Sequence, residues 1–175
     1  MTMAEESQVS IADLLPEDRP RAIPIVIDSF EGIYRWHAKR TLREVSRVRG
    51  ATSQGELVGV TMLELLEPEV GYVYYVAVLQ SHRRRGVAGR LLVDALELFR
   101  RQGSRVVYAA AEEENTASIR LFVGHGFRRT ERKELSWREG GLGAWGLRSR
   151  MMVVSGEELY GLRLAPEPTA PPAWS

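Results

Sequence analysis

The run Arg83-Arg84-Arg85-Gly86-Val87-Ala88-Gly89 combines positive charge, glycine and the opening of an apolar-periodic segment. A strand-like stretch precedes it and helical spacing follows. That layout turns backbone N–H groups and the positive end of a helix dipole towards a bound phosphate. Gly86, Ala88 and Gly89 carry little or no side chain, so a bulky anion can approach the main chain closely. The run lacks the terminal Gly-Lys-Ser/Thr of a Walker loop and the G-x-G-x-x-G spacing of a dinucleotide fold. Two other readings stand beside this one at the level of the residues. The arginines can be solvated while the glycines merely turn the chain. A nucleic-acid patch is the third, although the wider basic cluster with interleaved aromatics that it needs is missing.

Composition narrows the remaining chemistry. The chain has 175 residues, enough for one domain with a sizeable core. Its net charge of +1 creates no field favouring DNA or an anionic membrane. Cysteine is absent, which removes disulfides, thiolate metal sites and a cysteine nucleophile together. His37, His82 and His125 lack metal-ligand spacing, so no metal is expected. The stretch "MTMAEESQ" is acidic and unlike a secretory signal. The longest apolar run, Tyr72–Leu79, falls far short of the about 20 residues of a membrane helix. The expectation is a cytoplasmic protein without nucleic-acid or membrane partners.

The elements that must position the Arg83–Gly89 run follow from periodicity. "VSIADL" reads as a short strand, and Pro16, Glu17 and Asp18 as a helix start. Helical segments reach to about Val45 with a break near Glu31–Gly32. "SRVRGATSQ" and "ELVGVTMLELL" alternate as two strands around a turn at Gln54–Gly55, and "YVYYVAVL" reads as a buried strand. From Val87, residues Ala88, Leu91, Leu92, Ala95, Leu98 and Phe99 share a helical face that Gly103 ends. "RVVYAAA" is another strand, and Asn115 can cap a helix through Val123. "GFRRTERKELSW" and "LRSRMMVV" read as two closing strands. The domain is therefore expected over residues 1–156, with 157–175 a Pro-rich disordered tail.

Two segments in register carry a family resemblance. "YVAVLQSHRRRGVAGRLL" resembles the acyl-CoA signature of the GNAT N-acetyltransferase superfamily, Gln/Arg-x-x-Gly-x-Gly/Ala after a strand ending in Ala-Val. "NTASIRLFVGHGF", Asn115–Phe127, resembles the superfamily's Asn-x-x-Ala-x-x-Leu-Tyr-x-x-x-Gly-Phe helix. The resemblance implies an α/β (α+β) fold with a central mixed, mostly antiparallel sheet of about seven strands flanked by about four helices. It implies acetyl-CoA as co-substrate, with no metal. The main chain of Val76, Ala77 and Val78 would pair with the pantetheine arm. The segment Arg83, Arg84, Arg85, Gly86, Val87, Ala88 and Gly89 would hold the pyrophosphate, through amides from Arg84 to Gly89. Asn115 would touch the coenzyme, and Phe122 would lie beside it. An N–H at about Val78 could stabilise the oxyanion.

Two positions depart from the pattern. Phe122 stands where a tyrosine usually protonates the departing thiolate. Ala110 stands where the ribosomal-protein acetyltransferases of the superfamily carry a glutamate base. A thiol with a reference pKa of about 8.5 can still take its proton from water. Tyr72 and Tyr74 remain as catalytic candidates, relaying protons through ordered water, or packing in the sheet. Glu112–Glu114 either favour a helix start by dipole or attract a cationic substrate. Glu64 and Glu67 carry the same ambiguity, His125 reads as structural, and Trp36–His37 lies where acceptor pockets form. The implied reaction is attack of a neutral amine on the thioester, held by proximity. The acceptor is an amine-bearing small molecule or another primary amine. A protein N-terminus is the alternative, supported by similarity of "SHRRRGVAGRLL" to that branch and by the loop "WREGGLGAW", while the missing glutamate and tyrosine argue against the ribosomal-protein type. A non-catalytic acyl-CoA sensor is the third reading. A homodimer is one assembly the resemblance allows.

Overall fold

A computed structural model describes residues 9–131, 150–151, 153 and 156–164. The strands are β1 (Ser10–Asp13), β2 (Arg47–Ser53), β3 (Glu56–Glu67), β4 (Val70–Val78), β5 (Val106–Glu112), β6 (Arg128–Arg129) and β7 (Glu157–Arg163). They form one seven-stranded sheet in the order β1-β2-β3-β4-β5-β7-β6. Neighbours run antiparallel except β4 and β5, which are parallel. The mixed, mostly antiparallel sheet expected above is the one the chain forms.

Helices cover both faces, as amphipathic segments on a two-sided sheet must. On one face lie α1 (Ile23–Ser29) and α2 (Gly32–Glu44), whose Ile25, Val26, Ala38 and Leu42 pack on Val48, Val60, Met62 and Ala77. On the other lie α3 (Val87–Arg101) and α4 (Thr116–Gly124), packed on Leu63, Val73, Val107 and Ala109. Gly71 permits this approach, because a Cβ there would stand 2.6 Å from the Phe99 ring. The buried stripe of α3 is Val87, Leu91, Leu92, Ala95, Leu96 and Phe99. It is rotated slightly from the expected one, leaving Ala88 and Leu98 at its margins. Asp94, off that stripe, accepts two hydrogen bonds from Arg49 at 2.7 and 2.8 Å, tying α3 to β2.

Arg19 has no counterpart in the sequence reading. Its side chain is buried, and Nη1 donates to the carbonyls of Leu42, Arg43 and Val45 at 3.2, 3.2 and 2.8 Å. The Leu42 and Arg43 carbonyls belong to the last turn of α2, which lacks intrahelical partners, and Val45 follows it directly. The guanidinium thus caps α2 from a distant part of the chain and fixes the helix that walls the site.

Two expectations are corrected. The boundary at residue 156 fails, because Glu157–Arg163 is β7, inserted between β5 and β6. Leu159 and Tyr160 are buried there, as is Leu164 just beyond. The strand was masked by its two opening glutamates and by Gly161, which sits against Tyr108 so closely that a Cβ would meet the ring at 2.9 Å. The closing strand expected over "LRSRMMVV" also fails where it is described: Arg150 and Met151 have helical backbone. The strand expected from Gly126 is seen only as β6, and the rest of it, the "WREGGLGAW" loop and residues 165–175 lie outside the described residues. Among the described residues, no helix is long and apolar enough to cross a membrane.

Removing β7 tests the corrected boundary. Three buried side chains at about 1.5–3 kcal/mol each rival the whole stability of a domain, about 5–15 kcal/mol. A chain ended after Gly156 should lose its cooperative thermal transition by circular dichroism, and a retained transition would restore the shorter domain.

Candidate active site

The site begins where the two parallel strands part. β4 and β5 pair only over Val70–Val73 against Val106–Ala109. Across the other edge of β4, Met62 pairs with Tyr75 and Leu63 with Val73, so Tyr74 is an extra residue in the ladder. Such a bulge bends its strand and raises the local twist. Beyond it, Tyr74–Val78 have no ladder partner in β5, although buried backbone polar groups require one. The main chain of Val76, Ala77 and Val78 is therefore open along one edge. The carbonyl of Val78 is partly committed, accepting from Arg83 Nε at 2.9 Å and from Ser29 Oγ at 3.5 Å.

At the end of β4 the chain forms a nest of amides. Gly86, at φ 78°, caps α3, and Arg84 is left-handed too, at φ 62°. From Arg84 to Gly89 no N–H donates to the backbone or to a side chain among the described residues; the first helical bond is Arg90 N to Gly86 O. Consecutive unbonded amides at a helix start suit an anion of several oxygens. A non-glycine residue held left-handed costs about 1–3 kcal/mol, which is typical of ligand clamps. A Cβ added at Gly86 would meet nothing within 4 Å, so the approach to these amides is clear. The three arginines divide. All three are exposed, but Arg83 donates to the Val78 carbonyl and pairs with Asp28 at 3.5 Å. The Gly89 face is occupied by His125, which sits 3.5 Å from where a Cβ would lie and whose Nδ1 bonds the Leu121 carbonyl at 2.7 Å.

A cavity of about 610 Å³ opens beside the parted strands. Val76, Ala110, Ala111 and Phe122 belong to its apolar part, with Phe30, Met151 and Val153. Phe122 is 4% exposed and belongs to an aromatic cluster, 5.4 Å from the Phe127 ring centroid and 6.3 Å from that of Tyr160. Asn115 lines the cavity and caps α4, its Oδ1 accepting from Ser118 N at 3.1 Å. Tyr72 and Tyr74 both line it, their rings edge-on at 4.7 Å. Tyr72 is 2% exposed, and the Tyr74 hydroxyl donates to the Arg150 carbonyl at 2.6 Å. Glu64 accepts from the Ser46 amide at 3.0 Å, and Glu67 lies 4.0 Å from Arg150; neither lines the cavity.

The rest of the cavity wall is polar, and of its residues the sequence reading had marked only His37 and Glu112. Tyr34, His37 and Arg40 project from α2, Tyr75 from β4, Glu112 from β5 and Glu157 from β7. Glu112 and Glu157 are direct partners across the β5–β7 ladder, and both carboxylates lie close enough to the Tyr34 phenol to raise its pKa. Tyr34 is the residue that no pattern marked, since a tyrosine in a helix has no signature. The phenols are all held protonated. Burial raises Tyr34 first, then the Glu157 and Glu112 carboxylates. Burial and then Glu157 push Tyr72 well up, and the same causes take Tyr75 to about 12. Tyr74 is raised by burial and then by Glu64. Among the described residues, no group of three His, Asp or Glu could hold a metal.

A parted parallel strand pair, an amide nest at a helix start and a polar cavity between them define an acyl-CoA-dependent transferase. The chain belongs to the Acetyltransferase (GNAT) family, whose model matches residues 10–127, and it is an N-acetyltransferase. It is 30% identical over 167 residues to "N-alpha-acetyltransferase RimI" of Mycobacterium tuberculosis, covering 91% of this chain and 94% of that one. Its fold is similar to the ribosomal-protein-S18-alanine N-acetyltransferase of Escherichia coli, with TM-score 0.66 and 17% identity over 93% of this chain and 99% of that one. It is also similar to PaiA N-acetyltransferase of Thermoplasma acidophilum in complex with coenzyme A, with TM-score 0.68 and 11% identity over 90% and 99%.

The raised phenols predict alkaline behaviour. Below pH 10 the tyrosines are protonated whether the chain is folded or not. Between pH 10 and about 12 the unfolded chain loses phenolic protons that folded Tyr75 keeps, and Tyr34 and Tyr72 keep theirs as well. The unfolded state then binds fewer protons, so stability falls as pH rises through this window. Denaturant midpoints should drop across it, with phenolate absorbance appearing together with unfolding. Full phenolate absorbance from a still-folded protein would contradict the burial of these rings.

Proposed function

We propose that the protein transfers the acetyl group of acetyl-CoA to an α-amine, with a protein N-terminus as the acceptor. The observation that carries this is the composition of the reacting end of the cavity. Ala110 and Phe122 supply no proton-handling group at the positions where the ribosomal-protein branch carries a glutamate and the superfamily usually a tyrosine, which favours an acceptor of low pKa. The likeness to an N-alpha-acetyltransferase over nearly the whole of both chains supports the same choice of acceptor.

Bound acetyl-CoA would supply the electrophilic thioester carbon. The amides of Arg84–Gly89 fit its diphosphate, and the open edge of Val76, Ala77 and Val78 fits the amide groups of its pantetheine arm. Asn115 and Phe122 would flank the acyl end. Arg83 would hold the end of β4 against α1 rather than face the phosphates, which leaves Arg84 and Arg85 as the charges beside the nest. Tyr72 would keep its proton and position a relay water, and Tyr74 would hold the segment at Arg150.

The cradle can be tested directly. Gly86→Val places a β-branched residue in left-handed backbone, at a cost of about 1–3 kcal/mol, and redirects the amides. CoA affinity by calorimetry should fall at least about tenfold, equivalent to about 1.4 kcal/mol, while the protein still unfolds cooperatively. Unchanged affinity would remove the diphosphate from this loop.

The acceptor follows from proton cost. At pH 7 a lysine ε-amine must lose a proton against a reference pKa of about 10.4, costing about 4.6 kcal/mol, whereas an α-amine near 8 costs about 1.4. Peptides with a free α-amine should be acetylated much faster than the same peptides blocked at the N-terminus but carrying an internal lysine. Turnover should rise with pH towards the acceptor's own pKa. Efficient lysine acetylation at neutral pH with poor α-amines would reject this acceptor class.

A further inference from the structure

We infer that Glu112 and Glu157 together are the proton-accepting group for the incoming amine, and that Tyr34 positions them. The inference rests on the acetyl-transfer reading of the cavity and names the chemistry that the reading leaves unassigned.

The cavity offers few groups able to take a proton. Tyr34, Tyr72, Tyr74 and Tyr75 are all raised by burial first, so each phenol stays protonated and serves as a donor. Arg40 is a permanent cation. Ala110 and Phe122 carry nothing. What remains are Glu31 on the loop before α2, His37, and the carboxylates of Glu112 and Glu157. The last two stand apart by geometry. As direct partners on antiparallel strands their β-carbons lie about 4.5–5.5 Å apart. Two like charges at that separation repel, and a third group must hold them together. Tyr34 is placed to be that group: it lines the same cavity, both carboxylates act on its phenol, and its single proton can be given to either.

Position on the strand supports the assignment. Glu112 lies two residues beyond Ala110 on β5 and on the same face, about 6.6 Å further along. A carboxylate there reaches the reacting end through an ordered water. Glu157 is the carboxylate felt by Tyr34, Tyr72 and Tyr75 alike, which puts it centrally among the phenols of two elements. His37 Nδ1 adds a separate sign that the cavity is built for a polar ligand, because it is buried with no hydrogen-bond partner among the described residues.

The step balances as follows. The acceptor enters as an ammonium, drawn by the carboxylate pair, and loses one proton through water to a carboxylate oxygen. The neutral nitrogen attacks the thioester carbon, the C–N bond forms and the C–S bond breaks. The second nitrogen proton ends on the thiolate, giving the free thiol of coenzyme A. The carboxyl proton returns to solvent, so one acetamide, one thiol and one proton leave per ammonium and thioester consumed.

The test compares Glu112→Gln, Glu157→Gln, the double variant, Tyr34→Phe and His37→Gln in the full chain, with acetyl-CoA and an α-amine peptide. General-base help is worth about 10²–10⁴ in rate, so the double variant should lose about 10²-fold or more in kcat, with the KM for acetyl-CoA within about twofold. The loss should shrink for acceptor amines of lower pKa, which a merely structural role would not produce, and Glu157→Asp should recover part of it. If Glu157→Gln does not fold, Glu112→Gln and Tyr34→Phe carry the same test, since Glu112 is exposed. Carboxamide variants with undiminished kcat, or a loss confined to His37→Gln, would overturn the assignment while leaving α-amine acetylation in place. A wild type that prefers lysine acceptors would reject the acceptor reading instead, and the same variants assayed on lysine would still report on the carboxylates.

Discussion

The parting of β4 from β5 is the constraint on which the rest of the molecule depends. A sheet gains by continuing every ladder, and here a parallel pair stops after four residues although both strands run on. The Tyr74 bulge twists β4 away on one side. On the other, β5 stays committed to β7 along its whole length, from Val106–Arg163 to Glu112–Glu157. β5 cannot follow β4 without giving up that ladder. The gap is therefore held open by hydrogen bonds rather than by the absence of them, and the exposed main chain of β4 is a standing demand for a ligand's amides.

Each wall of the gap is anchored from outside it. Arg83 ties the end of β4 to Asp28 and Ser29 of α1 and so joins the amide nest to that helix. Arg19 caps the end of α2 from the segment before α1 and so fixes the helix that carries Tyr34, His37 and Arg40. His125 lies over Gly89 and joins α4 to α3. Three basic side chains that a sequence reader would give to solvent or substrate are spent on internal carbonyls and carboxylates. The work of holding an anion then passes to the backbone, which has six consecutive amides ready for it.

Much of this was legible before any coordinates. The Arg83–Gly89 and Asn115–Phe127 motifs located the nest and the capped helix, because both depend on local backbone geometry that only certain residues tolerate. Gly86 and Asn115 are such residues. The last strand was not legible. Glu157-Glu158 looks like solvent-facing chain, yet Glu157 faces the cavity and Glu158 pairs with Arg129 on the opposite face. A carboxylate whose partner comes from another element leaves no periodic trace. Tyr34 and Arg19 were missed for the same reason, since their partners lie in β5 and β7 and at the end of α2. Contacts between elements are set by packing, which spacing along one chain does not encode.

The two departures from the family pattern acquire a common cause in this arrangement. Phe122 packs in an aromatic cluster with Phe127 and Tyr160 and helps form the apolar part of the cavity. Ala110 pairs with Leu159 across the β5–β7 ladder, on the face where Tyr72 and Tyr108 are buried. A carboxylate at that position would be placed beside that apolar cluster. Two residues further on, at Glu112, the strand reaches the open mouth of the cavity, where water can solvate the charge and Tyr34 can donate to it. Moving the acidic group outward along one strand face exchanges direct contact with the amine for a lower desolvation cost, and the second carboxylate on β7 compensates by doubling the field that draws the ammonium in.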